Sequence, residues 1–228
     1  MREPSGHNAR VPLPAAVRHA TPERVKNSER IRGFALRVGL VPPRPMHSEA
    51  EADLLERLAA GRRTVVEIGT YEGSSAVVFA RAMDPAATLH LIDSYEGNAL
   101  LFGWKGTERA TRRVMDRATR DRGGPRVEWH IARSGTVADG WSDPIDLLFI
   151  DGDHSEAGTR SDWEAFSPHV APGGVVIFHD ARFGQPRGGD AGPGPTLVVD
   201  SLFRGAGALP DWRIVEEVDS SVAVERLS

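Results

Sequence analysis

Apolar positions along the chain change their rhythm near residue 62. Upstream, Leu54, Leu55 and Leu58 recur at helical spacing behind Ser48 and Glu51, a serine and a glutamate three apart that form the sequence signature of a capping box. The spacing predicts a helix ending near Gly61. Downstream come short β-rich runs: TVVEIGT (64–70), TLHLIDS (88–94), RVEWHIA (126–132), IDLLFID (145–151) and GVVIFHD (174–180). Leu147 to Ile150, four apolar residues in succession, read as the end of a strand buried on both faces. Helix-compatible stretches separate the runs at about 74–83, 107–120 and 155–167. Such alternation predicts an α/β fold: a mostly parallel, doubly wound sheet with right-handed crossovers and helices on both faces. A Gly/Pro-rich loop, GQPRGGDAGPGP, then leads to a helix at about 196–206. WRIVEEV and SVAVERL follow as a closing antiparallel hairpin.

The first 46 residues stand apart. Pro4, Pro12, Pro14 and Pro22 among polar neighbours predict an arm or disorder over 1–22, and a basic amphipathic helix fits from Pro22 to about Leu40, closed by VPPRP. The expected organisation is an arm and capping helix over 1–46 and one domain over 47–228. Composition narrows the classes further. With 40% hydrophobic and 26% charged residues the chain is an ordinary soluble globule, and a net charge of −4 supplies no general attraction to nucleic acid or anionic membrane. Apolar runs of about five residues are far short of the ~18 a spanning helix needs, and no signal-peptide core is evident, so a cytoplasmic protein is expected. The absence of cysteine removes disulfides, thiolate metal sites and thiol nucleophiles. Oligomeric state is left open, homo-oligomers included.

Open α/β sheets bind ligands beyond the carboxyl ends of their strands. Glu67 and Gly69, Asp93, Ser134, Asp151 to His154, and His179 with Asp180 all fall there. VVEIGTYEGSS reads as strand, glycine turn and helix start. Gly69 and Gly73 permit dihedrals and close approaches that a Cβ forbids, and the helix opening at Ser74 presents free N–H groups. Asp93, closing the next strand, is placed to accept the hydroxyl protons of a ribose. Any nucleoside cofactor would fit to this point. A dinucleotide site needs G-x-G-x-x-G, whereas this turn lacks the middle glycine and carries Glu67 two residues upstream. That acid disfavours pyrophosphate and suits the ammonium and sulfonium of S-adenosylmethionine.

Three stretches in order, VVEIGTYEGSS, LHLIDSYEG and IDLLFIDGDHSEAGTRSDWEAFSPHVAPGGVVIFHDAR, resemble the class I S-adenosylmethionine-dependent methyltransferases. The last is similar to a subgroup containing natural-product sugar O-methyltransferases and cephalosporin-hydroxylase-like proteins. The resemblance covers about residues 48–180 and implies a Rossmann-like, seven-stranded sheet. It further implies that Glu67, Gly69 and Gly73, with Ser74 and Asp151 beside them, border the methionine end of the cofactor, Asp93 the ribose and Ser134 the adenine.

Asp151 and Asp180, on strand ends expected to be adjacent, can offer oxygens to a divalent ion that lowers the pKa of an acceptor hydroxyl. In the resembled subgroup an acid at the Asp151 position and two residues at 179–180 hold magnesium. Here His179 stands where an acid is commoner, and imidazole suits manganese, iron or zinc better than magnesium. The expected metal ligands are Asp151, His179 and Asp180, with Mg2+ or Mn2+ as the ion; a supporting role for His179 or a metal-free site are the alternatives. The same subgroup has its general base at the His154 position, so His154 and Asp151 are the expected catalytic residues. Tyr95, Phe102 and Trp104 are candidates to wall a substrate pocket, the 184–195 loop is a candidate lid, and His90 and His130 are expected to pack within strands. The function expected is O-methylation of a small-molecule hydroxyl on a sugar or secondary metabolite. Metal-independent N- or O-methylation, a nicotinamide oxidoreductase and a metal-dependent hydroxylase or hydrolase are the competing classes.

Overall fold

In the computed structural model, which describes residues 29–96, 106–120, 123–182, 184 and 193–228, seven strands form one sheet. They are β1 (Thr64–Ile68), β2 (Thr88–Ile92), β3 (Arg126–His130), β4 (Ile145–Ile150), β5 (Val170–Phe178), β6 (Trp212–Val218) and β7 (Ser221–Arg226). Helices α1 (Glu29–Val38), α2 (Glu49–Ala59), α3 (Ser74–Ala82), α4 (Gly106–Arg120), α5 (Ser134–Ala138), α6 (Glu156–Phe166) and α7 (Gly194–Phe203) lie between and before them. The strand order is β3-β2-β1-β4-β5-β7-β6. The first five strands in this order run parallel, and β7 is antiparallel to both β5 and β6. The doubly wound sheet with its C-terminal hairpin is thus what forms.

Strand alternation divides the core into two layers. Val66, Leu148 and Val176 face Trp163 and Phe166 of α6 and Val198 of α7. Val65, Leu147 and Val175 face Leu55 of α2 and Phe79 of α3. Each such Leu or Phe stabilises the fold by about 1.5–3 kcal/mol when fully buried. On the second layer the same alternation carries on to Glu67, Asp151 and His179, which extend the apolar rows of β1, β4 and β5 with polar groups. α1 joins this body through Leu36, packed with Ala110 and Val114 of α4. The proline-rich residues 1–28 lie outside the described residues.

The capping box of α2 forms in full: the Glu51 amide donates to Ser48 Oγ at 3.0 Å and the Ser48 amide to Glu51 Oε2 at 2.8 Å. Among the described residues no helix is long and apolar enough to cross a membrane.

Candidate active site

The chain reverses its direction of sheet growth between β1 and β4, and that switch point is where a crevice opens in a doubly wound sheet. Ladder bonds run one residue past the strands here. Gly69 N donates to Ile92 O at 2.9 Å, Asp151 N to Ile68 O at 2.9 Å and His179 N to Ile150 O at 3.1 Å. Gly69, Asp151 and His179 therefore stand abreast at three neighbouring strand ends. Gly69 takes φ +93°, and a Cβ on it would lie 2.0 Å from the Asp151 carbonyl oxygen. The close approach that requires this glycine is to the β4 backbone.

A cleft of about 760 Å³ opens over these ends, lined among others by Gly69, Tyr71, Asp93, Ser134, Asp151 and Asp162. Asp93 Oδ2 accepts from the Tyr71 amide at 2.8 Å and Oδ1 from the Tyr95 amide at 2.7 Å. These bonds orient the carboxylate at the rim of the cleft. Burial raises the Asp93 pKa, opposed by the amide donors. Beneath the cleft, outside its lining, Glu67 is 0% exposed. Its Oε1 accepts from Ser75 Oγ at 2.5 Å while Oε2 has no hydrogen-bond partner. Burial, with Asp151 and Asp93 adding to it against the Ser75 bond, lifts its pKa well above the carboxylate range. Glu67 is thus a buried acid with one open oxygen.

Ser134 opens α5 and donates its hydroxyl to Asp162 Oδ1 on α6. Burial pushes the Asp162 carboxyl up to about 6, Ser134 opposing and Asp153 adding. Ser74, at the start of α3, and Gly73 lie outside the lining of the cleft; Ser74 Oγ meets His47 Nε2 at 3.0 Å. The preceding residues reach the same turn, Arg44 bonding Tyr71 Oη at 3.0 Å and, through its amide, Glu72 Oε2 at 2.8 Å. His47 and Arg44 thus brace the β1–α3 turn from the chain before α2.

Next to the cleft, and sharing Asp151 with it, Asp151, His154, His179 and Asp180 bring one ligand atom each within 4.8 Å of one another. His179 Nδ1 is 3.0 Å from Asp151 Oδ1 and 3.6 Å from Asp180 Oδ2. His154 Nε2 lies 3.3 Å from Asp151 Oδ1 and 3.2 Å from Asp180 Oδ2, ion-pair distances without a hydrogen bond at that nitrogen. Attraction to Asp151 and then Asp180 raises the His154 pKa to about 9. His179 is buried, which opposes its charge, yet Asp151, Glu51 and Asp180 around it raise its pKa well above the ordinary value. Asp151 is lowered in turn: the two imidazoles outweigh its burial. His154 does not cap α6. That role belongs to Ser155, whose Oγ accepts from the Gly158 amide at 3.0 Å. α7 presses on this loop, since a Cβ at Gly194 would lie 2.2 Å from the His154 carbonyl oxygen.

Behind His179 stands Glu51, whose role in the sequence was confined to the helix cap. Its Oε2 is 3.8 Å from His179 Nε2. Burial opposes its charge, but His179, Ser220 and Ser48 hold its carboxyl far below the usual range. Asp162 is the other residue missed: it stands in the quoted RSDWEAF stretch, and only the fold shows it reaching Ser134 and the cleft. His90 and His130 pack as expected, rings stacked at 5.4 Å with Nδ1 of His90 3.1 Å from Nε2 of His130. Tyr95 is partly buried beside Asp93, whereas Phe102, Trp104 and loop residues 185–192 lie outside the described residues.

A family model described as a methyltransferase domain matches residues 66–181, just over half of the chain. The chain is 31% identical over 125 residues to an uncharacterized protein, y4gI, of Sinorhizobium fredii, a match covering 53% of this chain and 13% of that much longer relative. Among solved structures, it is similar to the O-methyltransferase TomG of Streptomyces achromogenes, involved in tomaymycin synthesis and solved with S-adenosylmethionine. That match has 18% identity, 91% of each chain covered and a TM-score of 0.61. A methyltransferase from Geobacter sulfurreducens matches at 22% identity, 94% of each chain and TM-score 0.56. An O-methyltransferase from Bacillus cereus, solved with S-adenosylhomocysteine, matches at 18% identity, 92% of this chain, 94% of that one and TM-score 0.51. By the family match the chain belongs to the methyltransferase domain family, and its fold is that of the class I S-adenosylmethionine-dependent methyltransferases.

Proposed function

We propose that the protein transfers the methyl group of S-adenosylmethionine to a hydroxyl of a small molecule, a sugar or secondary metabolite, with a divalent ion at Asp151, His179 and Asp180. The observation that supports this is the sharing of Asp151 between the cleft and the four-residue cluster, so that an acceptor held at the cluster would lie beside a methyl donor in the cleft. When bound, the cofactor supplies an electrophilic methyl and the ion withdraws charge from the acceptor oxygen.

The chain's own residues do the rest. Asp93, preset by two amides, accepts from the ribose hydroxyls. Glu67, whose raised pKa favours the neutral acid when no cofactor is bound, would ionise beneath the cofactor's cationic charge. Ser134 and Asp162 border the base end of the cleft. His154 takes the acceptor proton at Nε2. In the metal-free protein Asp151 and Asp180 keep that nitrogen protonated, with a pKa of about 9. With those carboxylates neutralised by a cation, His154 returns toward ~6.5, where it is a competent base near neutral pH. The donor set fits the ion: two carboxylates and two imidazoles converge, which suits manganese at least as well as magnesium.

The test is methyl transfer from labelled S-adenosylmethionine to a panel of glycosides and phenols, followed by mass spectrometry with and without EDTA. Metal-dependent label on an acceptor oxygen is the expected result; transfer to nitrogen, or transfer indifferent to EDTA, would refute it.

A further inference from the structure

We propose that Glu51 is a positioning residue that fixes His179 as a nitrogen ligand and so makes the site prefer manganese, or another ion that accepts imidazole, over magnesium. The inference rests on the metal-assisted function proposed above and concerns a residue on the opposite side of His179 from the ion.

Glu51 does more than a helix cap needs. Capping requires the single bond from the Ser48 amide to Oε2, at 2.8 Å. The other oxygen, Oε1, accepts from Ser220 N at 3.1 Å, Ser220 Oγ at 2.6 Å and Ser221 Oγ at 2.9 Å, from the β6–β7 turn and the first residue of β7. Four donors from two parts of the chain immobilise a carboxylate that is 1% exposed. Its Oε2 then faces His179 Nε2 at 3.8 Å, an ion-pair distance longer than a hydrogen bond. No other hydrogen-bond partner serves that nitrogen, although His179 is only 4% exposed.

The consequence lies at the other ring nitrogen. With Nε2 facing Glu51, Nδ1 faces the cluster, hydrogen-bonded to Asp151 Oδ1 at 3.0 Å and 3.6 Å from Asp180 Oδ2. In the metal-free protein a proton on Nδ1 makes the bond to Asp151; a cation bound among the three groups would take that proton's place on the Nδ1 lone pair, leaving Nε2–H toward Glu51. Metal-ligating histidines almost always give their second N–H to a carboxylate or carbonyl, which sets the tautomer and makes the ligand more basic. Glu51 occupies that place. Magnesium favours oxygen donors, whereas manganese, iron and zinc accept imidazole.

Chelator-stripped protein is titrated with Mn2+ and separately with Mg2+ by calorimetry, free Mn2+ being read in parallel by electron paramagnetic resonance. The wild type is expected to bind Mn2+ more tightly than Mg2+. Glu51→Gln, which keeps the side chain's shape, should weaken Mn2+ by about 10–100-fold. His179→Asp should move the preference toward Mg2+. In that background Glu51→Gln should cost little, because no imidazole N–H remains for Glu51 to hold. A purely structural Glu51 gives the same loss in both backgrounds, and that result overturns the inference, as does a Glu51→Gln protein that binds Mn2+ as the wild type does. If Glu51→Gln does not fold, an unchanged ion preference in His179→Asp overturns it equally. Failure of the wild type to bind either ion removes the metal-assisted function as well, so the two failures are distinguishable.

Discussion

Asp180 turns its carboxylate to within 3.2 Å of His154 Nε2 from a backbone in the left-handed region, φ 50°. Regular strand geometry would send residue 180 to the sheet face opposite residue 179. The left-handed turn lets both side chains join one cluster. Aspartate tolerates that conformation better than most residues, yet it still costs about 1 kcal/mol or more. Strain at this position has a purpose if the carboxylate sets the charge of His154. Asp180→Asn keeps a residue tolerant of the left-handed region and removes that charge. In metal-free protein the pKa of His154 should then fall from about 9 toward its ordinary value. Proton NMR titration of the imidazole measures this; an unshifted value would mean Asp151 alone holds the proton.

Asp162 gives a pH dependence of the opposite kind from the paired carboxylates. Its pKa is raised from 3.8 to about 6, so folding favours its protonated form. The stabilisation is fully present below pH 3.8 and is lost as pH rises through about 6. At neutral pH the buried anion costs up to about 3 kcal/mol by linkage. Asp162→Asn should therefore melt higher than wild type at pH 7, with the difference shrinking as pH is lowered from 6 to 4. Melting curves of both proteins across that range provide the comparison, and a constant difference would mean the carboxyl titrates normally.

Asp93→Ala removes the carboxylate that two backbone amides orient toward the cleft. Loss of charge-assisted bonds to a ribose costs about 1.5–3 kcal/mol, or about 10–150-fold in affinity for S-adenosylmethionine and S-adenosylhomocysteine. Unchanged affinity by calorimetry would take the ribose away from Asp93.

Turnover and cofactor binding should separate at the cluster. EDTA should abolish methyl transfer while leaving S-adenosylhomocysteine affinity within a few-fold, and Asp151→Asn should abolish transfer as well. His154→Gln should lower kcat by about 10²–10⁴-fold, the usual contribution of a positioned base, again with little effect on cofactor affinity. Activity within a few-fold of wild type would reduce His154 to a loop residue.

Much of this was legible locally. The Ser48–Glu51 cap, the strands and the run from Asp151 to His154 are each written within a few neighbouring residues. Hydrophobic period and turn chemistry suffice to place Gly69, Asp93, Asp151 and Asp180 at one edge of the sheet. What stayed hidden depends on pairs that no local pattern encodes. Glu51 meets His179 only because β7 inserts beside β5 and its turn carries Ser220 and Ser221 to α2. Asp162 meets Ser134 only because α5 and α6 converge over the cleft, and His47 meets Ser74 because the chain before α2 crosses the β1–α3 turn. Periodicity reports which face of an element is buried, and says nothing of which distant polar group lies against it.

The most direct test of the account is one crystal structure of the protein with S-adenosylhomocysteine and Mn2+, its data collected to show the anomalous signal of manganese. The account predicts the ribose on Asp93, the adenine near Ser134 and Asp162, and a manganese peak bounded by Asp151, His179 and Asp180, with His154 facing the open side. A nucleoside lying elsewhere, or a cluster that stays closed by its own ion pairs with no manganese peak at saturating ion, would contradict it.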